Sequence, residues 1–249
     1  MDAIGLSGLQ LGLLVAVAIV AGIVRGYSGF GFSAIVIAGG TLVIPPATLV
    51  PALFMLEIVA SIHMLPSVRK DIDYPNFWPM LAGCAVGLPL GQYLLVHLEP
   101  DTVRFYLAWS VLVSAFLIWR GVSFHRSMTW PLAAFTGFVT GFGSGLASIG
   151  GLFAMVIFLG TRYPPAQVRA VFVAMFFAMY VYGVGLSSLN GLISATTFWI
   201  ALILLIPMIS GIVLGQRQYL STTPEAFRRF ALFLLMALAS IGILRIVFL

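Results

Sequence analysis

The sequence predicts an all-α polytopic membrane protein made of two homologous halves, and three observations carry that prediction. The chain of 249 residues is 61% hydrophobic and only 8% charged, which leaves too few polar side chains to cover a water-soluble globule. Apolar runs of the roughly 20 residues that a bilayer crossing needs recur along the whole length. Two stretches, Gly22-Ile-Val-Arg-Gly-Tyr-Ser-Gly-Phe-Gly31 and Gly141-Phe-Gly-Ser-Gly-Leu-Ala-Ser-Ile-Gly150, interrupt those runs with glycine in matching places. One constant shift of the chain superimposes Gly22 on Gly141, Gly26 on Gly145, Gly31 on Gly150, and Pro45-Pro46-Ala47 on Pro164-Pro165-Ala166. A slightly longer shift superimposes Gly91-Gln92, Pro100-Asp101 and Arg104 on Gly215-Gln216, Pro224-Glu225 and Arg228. A duplicated apolar chain with one broken segment per half has the organisation of a secondary transporter.

In chain order, the apolar runs predict spans near 9–25, 27–44, 47–66, 76–96, 103–120, 130–160 (broken), 165–188, 195–215 and 227–248. The first run is expected to be a span and not a cleaved signal. It lacks a basic leader, carries Asp2 and flows directly into the first glycine motif. Each Pro-Pro pair is expected to open the following helix, where a missing N–H costs nothing. Pro100-Asp101 and Pro224-Glu225 read as further helix starts, each with an acid in the first turn and Arg104 or Arg228 one turn on. The longest polar stretches, Arg69-Lys-Asp-Ile-Asp73 and Arg120 to Arg126, are short loops. The division is therefore 1–120 for the first repeat, 121–129 for the connecting loop and 130–249 for the second repeat, all in one membrane domain.

Charge distribution bears on topology. The formal charge of +5 comes from eleven Arg and one Lys set against seven acids, and it reads as a loop bias towards one membrane face and not as nucleic-acid binding. If each half crossed an even number of times, the basic residues would divide almost evenly. If instead each broken segment enters the membrane and returns as a re-entrant hairpin, the halves are inverted. Arg69, Lys70, Arg120, Arg126, Arg162, Arg169, Arg217, Arg228 and Arg229 then fall on one side, with Arg104 and Arg245 opposite and Arg25 at membrane depth. Inverted repeats are the preferred expectation.

The broken segments are also where chemistry is expected. A break inside a bilayer frees N–H and C=O groups, which is tolerated only where they are buried in protein or line a cavity. Half-helices restarting after Gly29 and Ser148 would aim N–H groups and positive dipole ends at a common point, forming an anion site built mostly of backbone. Gly29, Gly31, Gly145, Gly150 and Gly151 allow close backbone approach, although Gly-x-x-x-Gly spacing also suits tight helix packing. Arg25, costly at membrane depth unless paired or hydrated, offers a planar multi-donor cation for an oxyanion. Glu57 is its obvious ion-pair partner, or a proton carrier. Ser28, Phe30, Ser144 and Ser148, with Tyr27 and Ser33 nearby, are candidates to complete the coordination. Gln92 and Gln216 keep an amide at matching positions, either on the ligand or between the halves. His63 reads as an interfacial structural residue.

No catalytic, metal or cofactor constellation is expected. Cys84 is the lone cysteine, so there is neither a disulfide framework nor a cysteine metal site. Gly26-Tyr-Ser-Gly29 matches the Gly-x-Ser-Gly of intramembrane serine proteases, and His63, His97 and His125 are available as bases. Yet the position equivalent to Ser28 in the second half is Ala147, so the shared pattern does not need the nucleophile.

The arrangement resembles the TauE/SafE family of sulfite exporters and organosulfur permeases, on Gly26, Gly29, Gly31 and Pro45 in one half and Gly141, Gly143, Gly145, Gly150, Gly151 and Pro164 in the other. The likeness spans essentially the whole chain. The first motif departs from it by placing Arg25 and the aromatic Tyr27, Phe30 and Phe32 among its glycines. The resemblance implies an integral protein of a bacterial inner membrane that exports a small sulfur-containing anion, sulfite foremost, by alternating access. Uptake of a sulfonate or another small organic anion is the alternative within that class, and an anion channel or an intramembrane protease lies outside it. The implied partners are the anion and membrane lipid, with an oligomer possible and no nucleic acid.

Overall fold

The computed structural model describes residues 7–41, 43–99, 127–161 and 163–220, with single positions between 102 and 113 and between 223 and 233. The expected spans 103–120 and 227–248, and with them Arg104, Arg120, Arg126, Arg162, Arg228 and Arg245, lie largely or wholly outside the described residues. The chain is an all-α polytopic membrane protein. Among the described residues eight helices stand in two series of four: α1 (Gly8–Ser28), α2 (Phe32–Gly40), α3 (Pro46–Val68) and α4 (Tyr74–His97), then α5 (Trp130–Ala147), α6 (Gly150–Gly160), α7 (Pro165–Leu189) and α8 (Ala195–Tyr219). Five of them (α1, α3 extended to Asp71, α4, α7 and α8) are long and apolar enough to cross a membrane, whereas α6 is short.

Local chemistry explains most helix ends. Ser7 and Ser194 build capping boxes at the starts of α1 and α8, satisfying first-turn N–H groups that have no partner within the helix. Pro45 and Pro164 sit at the N-caps of α3 and α7, with Pro46 and Pro165 as first helical residues, as the proline pairs predicted. The breaks are shifted from where the apolar runs put the first of them. α1 continues through Gly26 and ends only at Ser28, because the chain turns through the left-handed region at Gly29 (φ 81°) and again at Gly31 (φ 96°). The second break uses Ser148, at φ 57°, a conformation that an L-residue with a side chain adopts only when its surroundings impose it.

The remaining motif glycines pack helices. On α4, Gly83 faces Ala134 and Phe138, Gly87 faces Phe138 and Phe142, and Gly91 faces Phe142 and Gly145. Numbers rise together along both helices, so α4 and α5 run parallel in backbone-to-backbone contact. The same seam recurs between α1 and α8, where Gly22 meets Gly211 and Gly26 and Gly215 meet Ile212 and Ile23. Small residues let the backbones approach this closely, and in a bilayer that close packing replaces a hydrophobic driving force between helices. Each first helix of a series thus lies along the last helix of the other, while α3 packs on α7 at the centre.

Contacts also fix which ends lie together. Parallel packing puts the starts of α4 and α5 at one end. Tyr163, just before α7, donates its hydroxyl to the Asp73 carboxylate, just before α4, so α7 starts at that end too. Burial, together with the hydrogen bond to Asp73, holds the Tyr163 hydroxyl above its ordinary pKa. Arg169 in the first turns of α7 stacks on Tyr219 at 4.4 Å and feels the charge of Asp71, which adds the ends of α8 and α3. Arg69–Lys70 and Arg217 therefore share one end. α5 enters from that end and α6 comes back to it. α1 enters from the opposite end, and α2 runs back along it until Gly40 reaches Leu14 and the first turn of α3 at Leu49.

Candidate functional site

The two breaks meet near the middle of α3 and α7. A cavity there is lined by Gly31, Ser33 and Ala34 from the first break, Ser148, Ile149, Gly151 and Leu152 from the second, and Glu57, Phe176 and Tyr180 from α3 and α7. Its water-accessible space is about 10 Å³, room for about one water molecule. Neither α2 nor α6 has a side-chain cap at its N-terminus, and neither carries an acid in its first turn. Both therefore present first-turn N–H groups and a partial positive charge to this space. Ser148, 3% exposed, keeps a hydroxyl there without a hydrogen-bond partner.

Arg25, fully buried, approaches from behind the cavity. Its Nε lies 2.8 Å from Glu57 Oε2, one Nη donates to Ser61 Oγ at 3.0 Å, and the guanidinium lies over the Phe176 ring at 5.1 Å. The other Nη has no partner. Glu57 Oε1 accepts from Ser33 Oγ at 2.9 Å, so its carboxylate bridges Arg25 and the start of α2. On the far wall, Tyr180 is stacked on Phe54 at 4.9 Å, with its hydroxyl close to Ser144 and Ser148. Those serines fall short of strict hydrogen-bond geometry with it. Phe176 and Tyr180 wall the space from α7, with Phe172 packed on Phe176 and Phe30 stacked on Phe172 at 5.1 Å.

The sequence-predicted residues divide accordingly. Gly31, Glu57, Ser148 and Gly151 line the cavity, and Ser144, Phe30 and Arg25 stand just behind it, with the charge of Arg25 joined to that of Glu57. Ser28 does not reach it, because its hydroxyl donates to the carbonyls of Val24 and Phe30, a common use of serine in membrane helices. His97 is bonded to the Tyr93 carbonyl. Gly145 is in the α4–α5 seam, Gly150 fits against Thr140 within its own hairpin, and Gly29 fits against Arg169. Gln92 bridges α4 to α7 through the Gly183 carbonyl at 3.2 Å and Ser187 at 2.6 Å. Gln216 is half-buried on α8. Among the described residues no cluster of His, Cys, Asp and Glu has the geometry of a metal site.

Sequence reasoning missed Ser61, Phe176, Tyr180 and the role of Arg169. The shift that superimposes the glycine motifs also superimposes Glu57 on Phe176 and Ser61 on Tyr180, so the α7 wall was findable as the counterpart of the α3 wall. Arg169 was counted as a loop charge. It is 5% exposed and donates to the Gly26 carbonyl at 2.9 Å, satisfying the end of α1 and complementing its dipole.

Comparison with known proteins adds one match. No curated protein and no solved structure gave a match to this chain. The family model described as sulfite exporter TauE/SafE matches residues 14–241, from the second turn of α1 to beyond the last described residue. That range takes in both breaks, both glycine seams and the central ion pair, and the family is one of membrane transporters for sulfur-containing anions. This chain, an integral membrane protein, belongs to the TauE/SafE sulfite exporter family.

Proposed function

We propose that the protein exports sulfite, or a closely related small sulfur oxyanion, across a bacterial inner membrane by alternating access between two inverted halves. The observation that carries this reading is the meeting of two uncapped half-helix starts at one small cavity, with a buried guanidinium behind it. Two positive helix ends and one planar cation favour an oxyanion over a cation or neutral solute. One water's volume cannot hold sulfite, so the cavity must widen to admit it. A narrow cavity between two mutually inverted hairpins fits a carrier better than an open channel. With the interior negative, each anionic charge leaving gains about 2.3 kcal/mol per 100 mV, so export needs no coupling ion.

Counterflow of labelled sulfite in proteoliposomes tests the reading, with sulfate, acetate and a sulfonate as competitors. Saturable counterflow inhibited best by sulfite analogues is expected. A preference for a cation or a neutral solute, or flux without saturation, would overturn it. Within that assay Arg25→Lys keeps the charge but loses the planar fork. Its affinity for sulfite is expected to fall about tenfold, about the value of one charge-assisted hydrogen bond. Unchanged affinity would remove Arg25 from the site.

Inverted halves also make a topological prediction. Lys70 and Arg217, both exposed, are expected on the same, cytoplasmic face, where positive loops are retained. Single cysteines at these positions, in a protein whose Cys84 has been replaced, should be labelled by an impermeant reagent only from that face. Labelling of the two from opposite faces sinks the inverted arrangement.

A further inference from the structure

We propose that Glu57 is a tethered stand-in for the transported anion, and that it is what lets the empty carrier reorient. This rests on the function proposed above and concerns how that site is used. The carboxylate already occupies two of the groups an oxyanion would use. Oε2 lies 2.8 Å from Arg25 Nε and Oε1 accepts from Ser33, the second residue of α2, so one carboxylate neutralises the guanidinium and sits at a positive helix end. It does so from α3, with its side chain 1% exposed and on the wall of the cavity. The groups facing it are Arg25 from α1, Ser33 from α2, Ser61 one turn along α3 and Tyr180 from α7. Arg25 is the one cation among them.

The consequence follows from charge. With Glu57 on Arg25, the unloaded centre is neutral and can change access without carrying a bare cation through a low-dielectric interior. Loading substitutes one anion for another: the oxyanion takes Arg25 and the start of α2, and Glu57 swings aside. Glu57 therefore competes with the substrate, lowering apparent affinity while making the return step possible. Remove its charge, and Arg25 is left compensated only when an anion is bound. The carrier then becomes an obligate exchanger.

The experiment compares net efflux of labelled sulfite from loaded proteoliposomes with one-for-one exchange at equal sulfite on both sides. For Glu57→Gln, net efflux is expected to fall at least about tenfold while exchange stays within about threefold of the parent and sulfite binds about tenfold more tightly. Glu57→Asp keeps the charge but draws the carboxylate back from Arg25. Its ratio of net efflux to exchange should fall at least about threefold, which keeps the test decisive should the glutamine variant not fold. Net efflux and exchange falling in proportion in a folded variant, or an unchanged ratio in Glu57→Asp, would overturn the inference. So would a proton moving with each sulfite in the parent protein at alkaline pH, where the substrate carries no proton of its own, since Glu57 would then shed its charge and not its partner. Failure of the parent to move sulfite in either mode would count against the proposed function itself.

Discussion

Arg25→Leu is expected to destabilise the folded protein by about 3–5 kcal/mol, and the further change Glu57→Leu to return most of that loss. Arg25 and Glu57 are 0% and 1% exposed and joined at 2.8 Å. Removing the guanidinium strands a carboxylate, 1% exposed, whose remaining partner among the contacts above is the Ser33 hydroxyl, and a buried charge without its partner is costly. Glu57→Leu alone strands the guanidinium, which keeps Ser61 and the face of Phe176, so the cost should be large but smaller than for Arg25→Leu. The double change leaves two leucines beside the ring of Phe176, and a buried ion pair replaced by apolar groups is often close to neutral. Midpoints of denaturant-induced unfolding in detergent, over the four corners of this cycle, give the coupling. A double variant as unstable as the worse single would mean that the two charges are not each other's main partners. Stability and transport should separate here: the double variant folds and carries no sulfite.

Gly91→Val and Gly215→Val are expected to lose most folded protein, each costing about 1–3 kcal/mol or more through overpacking. A Cβ at Gly91 collides with the Phe142 carbonyl, and one at Gly215 collides with the Ile23 carbonyl. In both cases the obstacle is backbone inside a parallel helix pair, so no rotamer change relieves it. The two positions are equivalent under the longer shift and should suffer alike. Gly185→Ala on α7 is the control, since a Cβ there meets nothing, and alanine in an exposed helix position should be neutral or slightly stabilising. Yield of monodisperse protein after extraction, followed by thermal midpoints, reads the series. If the Gly91 variant is indistinguishable from the control, close backbone contact is not what holds α4 to α5.

Several features were legible from the residues alone because they follow from local chemistry. Membrane residence follows from composition, the starts of α3 and α7 from Pro-Pro, and the approximate span limits from apolar run length. Gly29–Gly31 and Ser148–Gly150 were readable as breaks because the same irregularity occurs twice in otherwise continuous apolar sequence. Arg25 and Glu57 were readable as partners because each is too costly in a bilayer to stand alone.

Tertiary structure decided which glycine does what. Gly22, Gly26, Gly141 and Gly145 stand beside the breaks in sequence yet serve the α1–α8 and α4–α5 seams. A glycine that turns the chain and one that admits a neighbouring backbone look identical until the neighbour is known. Ser28, one residue from a break, bonds to its own backbone, while Tyr180, distant in sequence, walls the cavity. Arg169 reads as a loop charge until the end of α1 is seen to lie against it. Whether Arg25 faces the ligand or Glu57 was likewise beyond the sequence, because it depends on the distance between two helices. The sequence by itself determined that this is a polytopic membrane chain whose apolar runs are broken by glycine at two places, with an opposite pair of charges, Arg25 and Glu57, inside its first spans. Only the packing of α1 on α8 and α4 on α5 brings both breaks to one cavity and closes it to the size of a water, since that convergence depends on contacts between residues far apart in the chain.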